Sequence, residues 1–78
     1  MKFGIDVTTN DAQRLIVRLS RLKSTINVEH GGVYHQEPGY CQVHLTTTWT
    51  HSDLDDWLYG TSGIDYVGSY SLEERKVA

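Results

Sequence analysis

Residues 41–49 read CQVHLTTTW, and the alternation in this stretch decides the fold prediction. One face carries mostly apolar side chains, namely Cys41, Val43, Leu45, Thr47 and Trp49, and the other carries Gln42, His44, Thr46 and Thr48. A period of two is typical of a strand with one buried face. The stretch therefore predicts a strand that lies on a core and leaves its polar face open.

A turn precedes this strand, because Glu37–Tyr40 reads EPGY. Proline sets the backbone of the first central turn residue, and glycine tolerates the positive φ of the second. Residues 26–36 then predict an antiparallel partner strand at the edge of the sheet. The pair Gly31–Gly32 within it favours a bulge or a frayed edge.

A two-residue turn would fix the register of this hairpin. It would place Tyr34 opposite Val43 and His35 opposite Gln42. On this register His35, Gln42 and His44 share the open face of the sheet.

The chain before the hairpin predicts a strand and a helix. Residues 2–8 alternate, with Phe3, Ile5 and Val7 on one face. Residues 11–23 carry apolar side chains at three- and four-residue spacing, which is typical of a helix with one buried stripe. Asn10 stands where the N-cap of this helix belongs.

The chain after the hairpin predicts another helix and strand. Residues 53–59 form the helix, with Ser52 or Thr50 as its cap and Gly60 as its end. Residues 64–72 form the last strand. The order β-α-β-β-α-β is that of a ferredoxin-like α+β fold, with a four-stranded antiparallel sheet and both helices on one face. We expect a single domain over residues 1–78, with an ordered core at about 2–72 and a polar tail at 73–78.

Composition narrows the class of protein. The chain has 78 residues, 38% of them apolar and 22% charged, with a net charge of −3. No apolar run approaches the roughly 20 residues that span a bilayer. One cysteine in a short chain indicates a reducing compartment, so we expect the cytoplasm. The acidic balance disfavours general coating of nucleic acid.

Histidine and cysteine could bind zinc, and the sequence offers His30, His35, Cys41, His44 and His51. Cys41 falls on the core face and reads as a core residue, whereas His35 and His44 would be diagonal neighbours about 7–8 Å apart. No third ligand is evident, and zinc sites need several converging side chains. We therefore expect no metal and no cofactor.

Carboxylates give no clear catalytic site either. Asp53, Asp55 and Asp56 stand in the first turns of a helix, where the helix dipole explains them. Asp6 and Asp65 could neighbour each other if the first and last strands pair, but nothing predicts their burial. We expect a protein that is not an enzyme and has no catalytic residues.

Arginines form the most distinctive charged pattern. Arg14, Arg18 and Arg21 are spaced four and three apart on the first helix, largely away from its apolar stripe, and Lys23 extends them. The arginines and the aspartates of the second helix could partly neutralise each other as solvated charges. Alternatively they form a polarised docking face.

Tyrosine is unusually frequent, with five in the chain. Tyrosine and arginine are enriched in binding hot spots. The predicted partner-binding residues are therefore Arg14, Arg18, Arg21, Tyr34, Tyr66 and Tyr70. The alternative is nucleic-acid or nucleotide binding at His35, Gln42 and His44 on the open sheet face. Edge strands and an open face also favour a homodimer.

The segment Leu54–Gly60, which reads LDDWLYG, resembles a short helix of small phage-encoded proteins, and Gly63–Gly68 continues the likeness. Trp57, Tyr59 and Gly60 are similar to the late helix of a short type I-F anti-CRISPR protein. The likeness covers about a fifth of the chain. The first helix does not match, so no binding residues carry over. The resemblance implies a phage-type inhibitor or adaptor that binds a host or defence protein in the host cytoplasm.

Overall fold

The computed structural model describes residues 1–33 and 39–72, with Val33 described by its backbone alone. The elements are β1 (Lys2–Thr8), α1 (Thr9–Ser20), β2 (Thr25–Val33), β3 (Tyr40–Thr47), α2 (His51–Gly60) and β4 (Tyr66–Ser71). Their order confirms the prediction from sequence. The proline of the expected turn, Tyr34, His35 and the expected tail at 73–78 lie outside the described residues.

The four strands form one antiparallel sheet in the order β2-β3-β1-β4. This order, with the two helices between strands, is a ferredoxin-like α+β arrangement. The predicted edge position of β2 is confirmed, and β4 forms the other edge. Neither helix in the described part of the chain is long and apolar enough to cross a bilayer.

Both helices pack on the same face of the sheet. The buried core joins strand residues to helix residues: Phe3, Ile5, Val7, Cys41, Val43 and Leu45 meet Ala12, Leu15, Leu19, Leu54 and Leu58. The predicted core face of β3 is confirmed, because its alternate residues from Cys41 to Thr47 are buried. In residues 1–33 and 39–72, no helix covers the opposite face of the sheet.

The predicted register of the β2–β3 hairpin is wrong. Val43 pairs with His30 rather than with Tyr34, and Gln42 pairs with Gly32 rather than with His35. The register shifts between Thr25 and Asn27 and again between His30 and Gly32. Cys41 pairs with Val33, so the connection is longer than the predicted two-residue turn, and each register shift then adds one more residue to β2.

Helix α1 begins earlier than predicted. Its N-cap is Thr8 rather than Asn10, and the Thr8 hydroxyl donates to Asp11 Oδ2 at 2.8 Å. The helix also ends at Ser20, not at Lys23, because the chain turns towards β2 through short-range backbone hydrogen bonds.

Helix α2 begins with a capping box. Of the two predicted caps, Thr50 is confirmed: its hydroxyl accepts from the Asp53 N–H at 3.2 Å, and the Asp53 carboxylate accepts from the Thr50 N–H at 3.3 Å. This reciprocal pair satisfies two N–H groups that the helix itself leaves unbonded.

Candidate functional site

Arg14 and Arg18 connect α1 to the loop that follows α2. Arg14 Nη1 donates to the Gly63 carbonyl at 2.7 Å, and Arg18 Nη1 donates to the Ser62 carbonyl at 2.6 Å. Gly63 has φ 79°, a left-handed conformation that glycine adopts without strain. The two guanidinium groups are therefore held side by side, and each keeps further N–H donors for another ligand.

The positive charge continues beyond these two residues. Arg21 and Lys23 are exposed, and neither side chain has a hydrogen bond or ion pair within residues 1–33 and 39–72. Arg14 itself forms an ion pair with Asp11 at 3.3 Å. Arg14 and Arg18 thus lie on α1, whereas Arg21, which was predicted to lie on this helix, is its C-cap residue and Lys23 follows the helix. We refer to Arg14, Arg18, Arg21 and Lys23 together as the α1 row.

The aspartates of α2 do not neutralise this row. In the described residues the ion pairs are Arg14–Asp11 and His51–Asp55, so none joins an arginine of α1 to α2. In the described residues, mutual neutralisation of the two helices through ion pairs is therefore not observed.

Tyr59 adds an aromatic side chain that the sequence prediction missed. It lies in the last turn of α2 and is 89% exposed. Ser62 is three positions further along the chain, so the Cα atoms of Tyr59 and Ser62 are at most about 11 Å apart. The position of Tyr59 on the helix could have predicted its exposure. Leu54 and Leu58 define the buried face, and the residue after Leu58 is rotated about 100° away from that face.

The predicted partner-binding residues do not gather on one surface. Tyr66 pairs with Val7 and packs against the core on the helix side of the sheet. Tyr70 lies on the opposite face, where the end of its ring covers Gly4. The arginines and Tyr70 are therefore separated by the sheet.

Two residues of the alternative site do come together on the open face. His44 Nε2 lies 3.2 Å from Gln42 Oε1, and both side chains are half-buried. His35 lies outside the described residues. Asp6 pairs with Gln42 across the β1–β3 ladder, and Glu29 pairs with His44 across β2–β3. The open face thus carries two carboxylates near the predicted ligand-binding pair.

His51, Ser69 and Asp55 form a cluster that contains the three residue types of a hydrolytic triad. His51 Nε2 lies 2.9 Å from Ser69 Oγ, and Ser69 Oγ donates to Asp55 Oδ1 at 2.5 Å. In a triad the serine proton goes to histidine and the carboxylate orients that histidine. Here the serine proton goes to the carboxylate, so the cluster fastens α2 to β4 and does not activate a nucleophile.

The remaining candidate groups for chemistry are separated or buried. Within residues 1–33 and 39–72, no group of three His, Cys, Asp or Glu side chains could hold a metal ion. Cys41 is fully buried, and burial raises the pKa of its thiol, which disfavours the reactive thiolate. Asp6 pairs with Gly68 on β4, and the Asp65 carbonyl accepts from the Thr8 N–H. The possible Asp6–Asp65 carboxylate pair is therefore not in register.

Asp11 joins the start of α1 to the segment before β4. Its Oδ2 accepts from the Asp65 N–H at 3.0 Å and from the Thr8 hydroxyl at 2.8 Å. The Asp65 N–H contributes most to lowering the pKa of Asp11, followed by the Thr8 hydroxyl, with smaller effects from Arg14 and Arg18. The hydrogen-bonded junction around the Asp11 carboxylate therefore lies next to Arg14 and Arg18.

The sequence matches no family model, and neither a curated protein nor a solved structure matches it.

Proposed function

We propose that this chain is a small, non-catalytic binding protein that docks on an acidic surface of a larger protein. The docking surface consists of Arg14, Arg18, Arg21 and Tyr59. The observation that carries the proposal is the anchoring of two guanidinium groups by the carbonyls of residues 62 and 63, close to an exposed tyrosine.

Anchoring matters because binding costs conformational entropy. Immobilising one flexible side chain at an interface costs about 0.5–1.5 kcal/mol. Arg14 and Arg18 already lose part of this freedom in the free protein, since each donates to a loop carbonyl. Arginine and tyrosine are also the residue types enriched in binding hot spots. A pre-set arginine pair, with an exposed tyrosine three positions before one of its anchoring carbonyls, therefore suits a protein partner.

The charge of the surface indicates the chemistry of the partner. Arginine pairs with carboxylate or phosphate, so the surface by itself fits either. The chain as a whole has a net charge of −3. A nucleic acid carries a long row of phosphates, which the excess negative charge of this chain would repel. A folded protein can instead place a few carboxylates against the α1 row alone. Carboxylates on a folded protein are therefore the favoured counterpart.

The resemblance of residues 54–60 to a helix of small phage-encoded proteins directs the search for this partner. It motivates host or defence proteins, with the effector complex of a type I-F CRISPR system as the first purified candidate. The mode of action would be stoichiometric occupation of a surface, as an inhibitor or adaptor. Binding in the host cytoplasm fits this proposal.

The test compares two charge reversals of equal size on opposite sides of the sheet. Arg21→Glu changes an exposed side chain of the surface that makes no hydrogen bond or ion pair in the described residues, so the fold should persist. Lys2→Glu is the matched control on the open face. Each protein is immobilised, incubated with nuclease-treated bacterial lysate, and its captured proteins are quantified by mass spectrometry.

We expect the wild type and Lys2→Glu to capture the same protein in stoichiometric amount. In a calorimetric titration with that purified protein, Arg21→Glu should weaken binding roughly tenfold, or about 1.4 kcal/mol. Tyr59→Ala, which changes a side chain that is 89% exposed, should weaken it similarly without lowering the melting temperature. Equal capture by Arg21→Glu and Lys2→Glu would contradict the proposal. So would recovery of nucleic acid whose associated proteins disappear after nuclease, because it would favour the open sheet face.

A further inference from the structure

The two anchored arginines converge on one glycine of the loop after α2. A Cβ atom on Gly63 would lie 3.9 Å from Arg18 Nη2 and 4.0 Å from Arg14 Nη1. Among the described residues, these two nitrogens are the only atoms within 4 Å of that point, apart from Gly63 and its chain neighbours. Because Gly63 is exposed and has no side chain, an open position lies between the two guanidinium groups.

Both guanidinium groups keep donors that no described residue uses. Each guanidinium has five N–H donors. Arg14 uses Nη1 for the Gly63 carbonyl and for Asp11, and Arg18 uses Nη1 for the Ser62 carbonyl. In residues 1–33 and 39–72, the Nη2 and Nε groups of both arginines have no hydrogen-bond or ion-pair partner. Arg14 is exposed and Arg18 is half-buried, so a ligand can approach both from solvent.

One carboxylate suits the space between these two groups. A carboxylate has two oxygens, and each can accept a charge-assisted hydrogen bond of about 2.7–2.9 Å from a separate guanidinium. Arg14 and Arg18 are four positions apart, so α1 places them on one face. The loop carbonyls already hold both groups, so a ligand does not have to organise them itself.

Neighbouring carboxylates limit the charge that this position can accept. Asp11 Oδ1 lies 3.3 Å from Arg14 Nη1. Asp11 is ionised at neutral pH, because the Asp65 N–H and the Thr8 hydroxyl lower its pKa. Asp65 itself is exposed and, in the described residues, forms no ion pair with either arginine. A phosphate group carries about 1.5–2 negative charges at neutral pH, so these two carboxylates repel it more than a singly charged carboxylate.

We propose that Arg14 and Arg18 form one binding site for a single carboxylate, which lies over Gly63. In the docking proposed above, this carboxylate belongs to an aspartate or glutamate side chain of the partner. The source of the carboxylate therefore rests on the proposed function, whereas the site itself does not.

The site divides the α1 row into two parts with different roles. Arg21 and Lys23 add positive charge that attracts an acidic surface, but neither lies within 4 Å of the position over Gly63. Charges at the rim of an interface act mainly on the rate of association. The anchored pair therefore selects the carboxylate, and the rest of the row increases the rate at which an acidic partner arrives.

The test uses the full chain and sodium acetate as the probe. Sodium chloride keeps the ionic strength constant, and inorganic phosphate is the competing anion. Binding is followed by two-dimensional NMR of the backbone amides and of the arginine Nε–H groups. We expect acetate to shift the Gly63 amide and the Nε–H signals of Arg14 and Arg18 along one saturating curve, while the Arg21 signal stays in place. Phosphate should bind no more tightly than acetate.

Matched variants separate the site from the charge of the row. Arg18→Lys keeps the positive charge and can still donate to the Ser62 carbonyl, but it removes the planar set of donors. It should raise the dissociation constant of acetate about threefold to fivefold, near the upper limit for an exposed ion pair. Arg21→Lys, the same change outside the site, should leave it unchanged. Asp11→Asn removes the competing carboxylate and should tighten acetate binding, a gain that partial unfolding cannot produce.

Four results would overturn the site: shifts spread evenly over the surface, equal affinities of Arg18→Lys and wild type, an equal loss in Arg21→Lys, or tighter binding of phosphate than of acetate. Localised acetate binding, with no protein captured through Arg21, would support the site and contradict the proposed function. Protein capture that depends on Arg21, with no localised acetate binding, would support the docking surface and overturn the site.

Discussion

Thr47 is a fully buried threonine whose hydroxyl joins two other backbone segments. Its Oγ1 donates to the Ser24 carbonyl at 3.0 Å and accepts from the Trp49 N–H at 3.1 Å. Thr47→Val keeps the shape of the side chain and removes both hydrogen bonds. The substitution therefore isolates the value of one buried hydroxyl.

The two lost bonds do not cost the same. The Ser24 carbonyl still accepts from the Thr48 N–H at 3.0 Å, so losing its bond from Thr47 costs about 1 kcal/mol. The Trp49 N–H is left without its acceptor, at about 1–3 kcal/mol. A buried methyl group in place of the hydroxyl returns up to about 0.8 kcal/mol. The free energy of unfolding should therefore fall by about 1–3 kcal/mol.

The assay is chemical denaturation followed by circular dichroism, with a thermal scan beside it. A loss of 2 kcal/mol would lower the melting temperature of a domain this small by roughly 8–16 °C. Thr46→Val, the same change on the open face of β3, is the first control and should alter stability by less than about 0.5 kcal/mol.

The second control lies directly opposite Thr47. Thr25 pairs with Thr47 across β2–β3, and its buried Oγ1 has no hydrogen-bond partner within the described residues. Thr25→Val should therefore be neutral or stabilising, because it removes a buried polar atom that is not satisfied. If Thr47→Val is as mild as Thr46→Val, or if Thr25→Val is the more damaging change, the reasoning from buried hydrogen bonds is refuted.

Two further changes test other contacts. Gly4→Ala should lower the free energy of unfolding by about 1–3 kcal/mol in urea denaturation, since its methyl group would displace the Tyr70 ring. If Gly4→Ala costs as much in a Tyr70→Ala background as in the wild type, the contact with Tyr70 is not the cause. Asp11 has a lowered pKa in the folded state, so its stabilisation is present above the unfolded value of 3.8 and is lost as pH falls through the folded pKa. In parallel thermal melts, Asp11→Asn should therefore destabilise the protein more at pH 7 than at pH 3. A difference in melting temperature between wild type and variant that is the same at both pH values would show that the Asp11 carboxylate is not the source of this stabilisation.

The element order and the core could be predicted because they depend on periodicity. The alternation from Cys41 to Thr47 is confirmed as buried and open faces, and the glycine pair in β2 indicated the irregularity that occurs at Gly31. These features are local, and each is fixed by side-chain direction within one element. Sequence reasoning therefore sufficed for them.

The β2–β3 register was not accessible in the same way. It depends first on the length of the connection, because Cys41 pairs with Val33, whereas a two-residue turn would place Gln36 opposite Cys41. The extra residues at Gly31 and Ile26 shift the register further along the ladder, and only the first of these positions has a signal in the sequence. The start of α1 was missed for a related reason. Asp11 stabilises that start through the N–H of Asp65, which is 54 positions away along the chain.

The candidate site was predicted in part. The spacing of Arg14 and Arg18 indicated their common helix face, but Arg21 is the C-cap residue, and the anchoring of Arg14 and Arg18 to residues 63 and 62 depends on how α1 and the segment after α2 pack. Tyr66 and Tyr70 were grouped with them by residue type alone. A bulge between β1 and β4 separates these tyrosines, because the register steps from Gly68 to Tyr66.

Bulges at both edges of the sheet bear on how the protein behaves when it is abundant. Ile26 and Val67 are exposed apolar residues, at 66% and 64%, and each is the extra residue of a bulge in an edge strand. An apolar edge strand is ordinarily a template for aggregation. Here each bulge interrupts the ladder between the edge strand and its inner neighbour and increases the local twist, which makes the edge a poorer template for another strand. High concentrations should therefore not convert the sheet edges into sites of fibril growth.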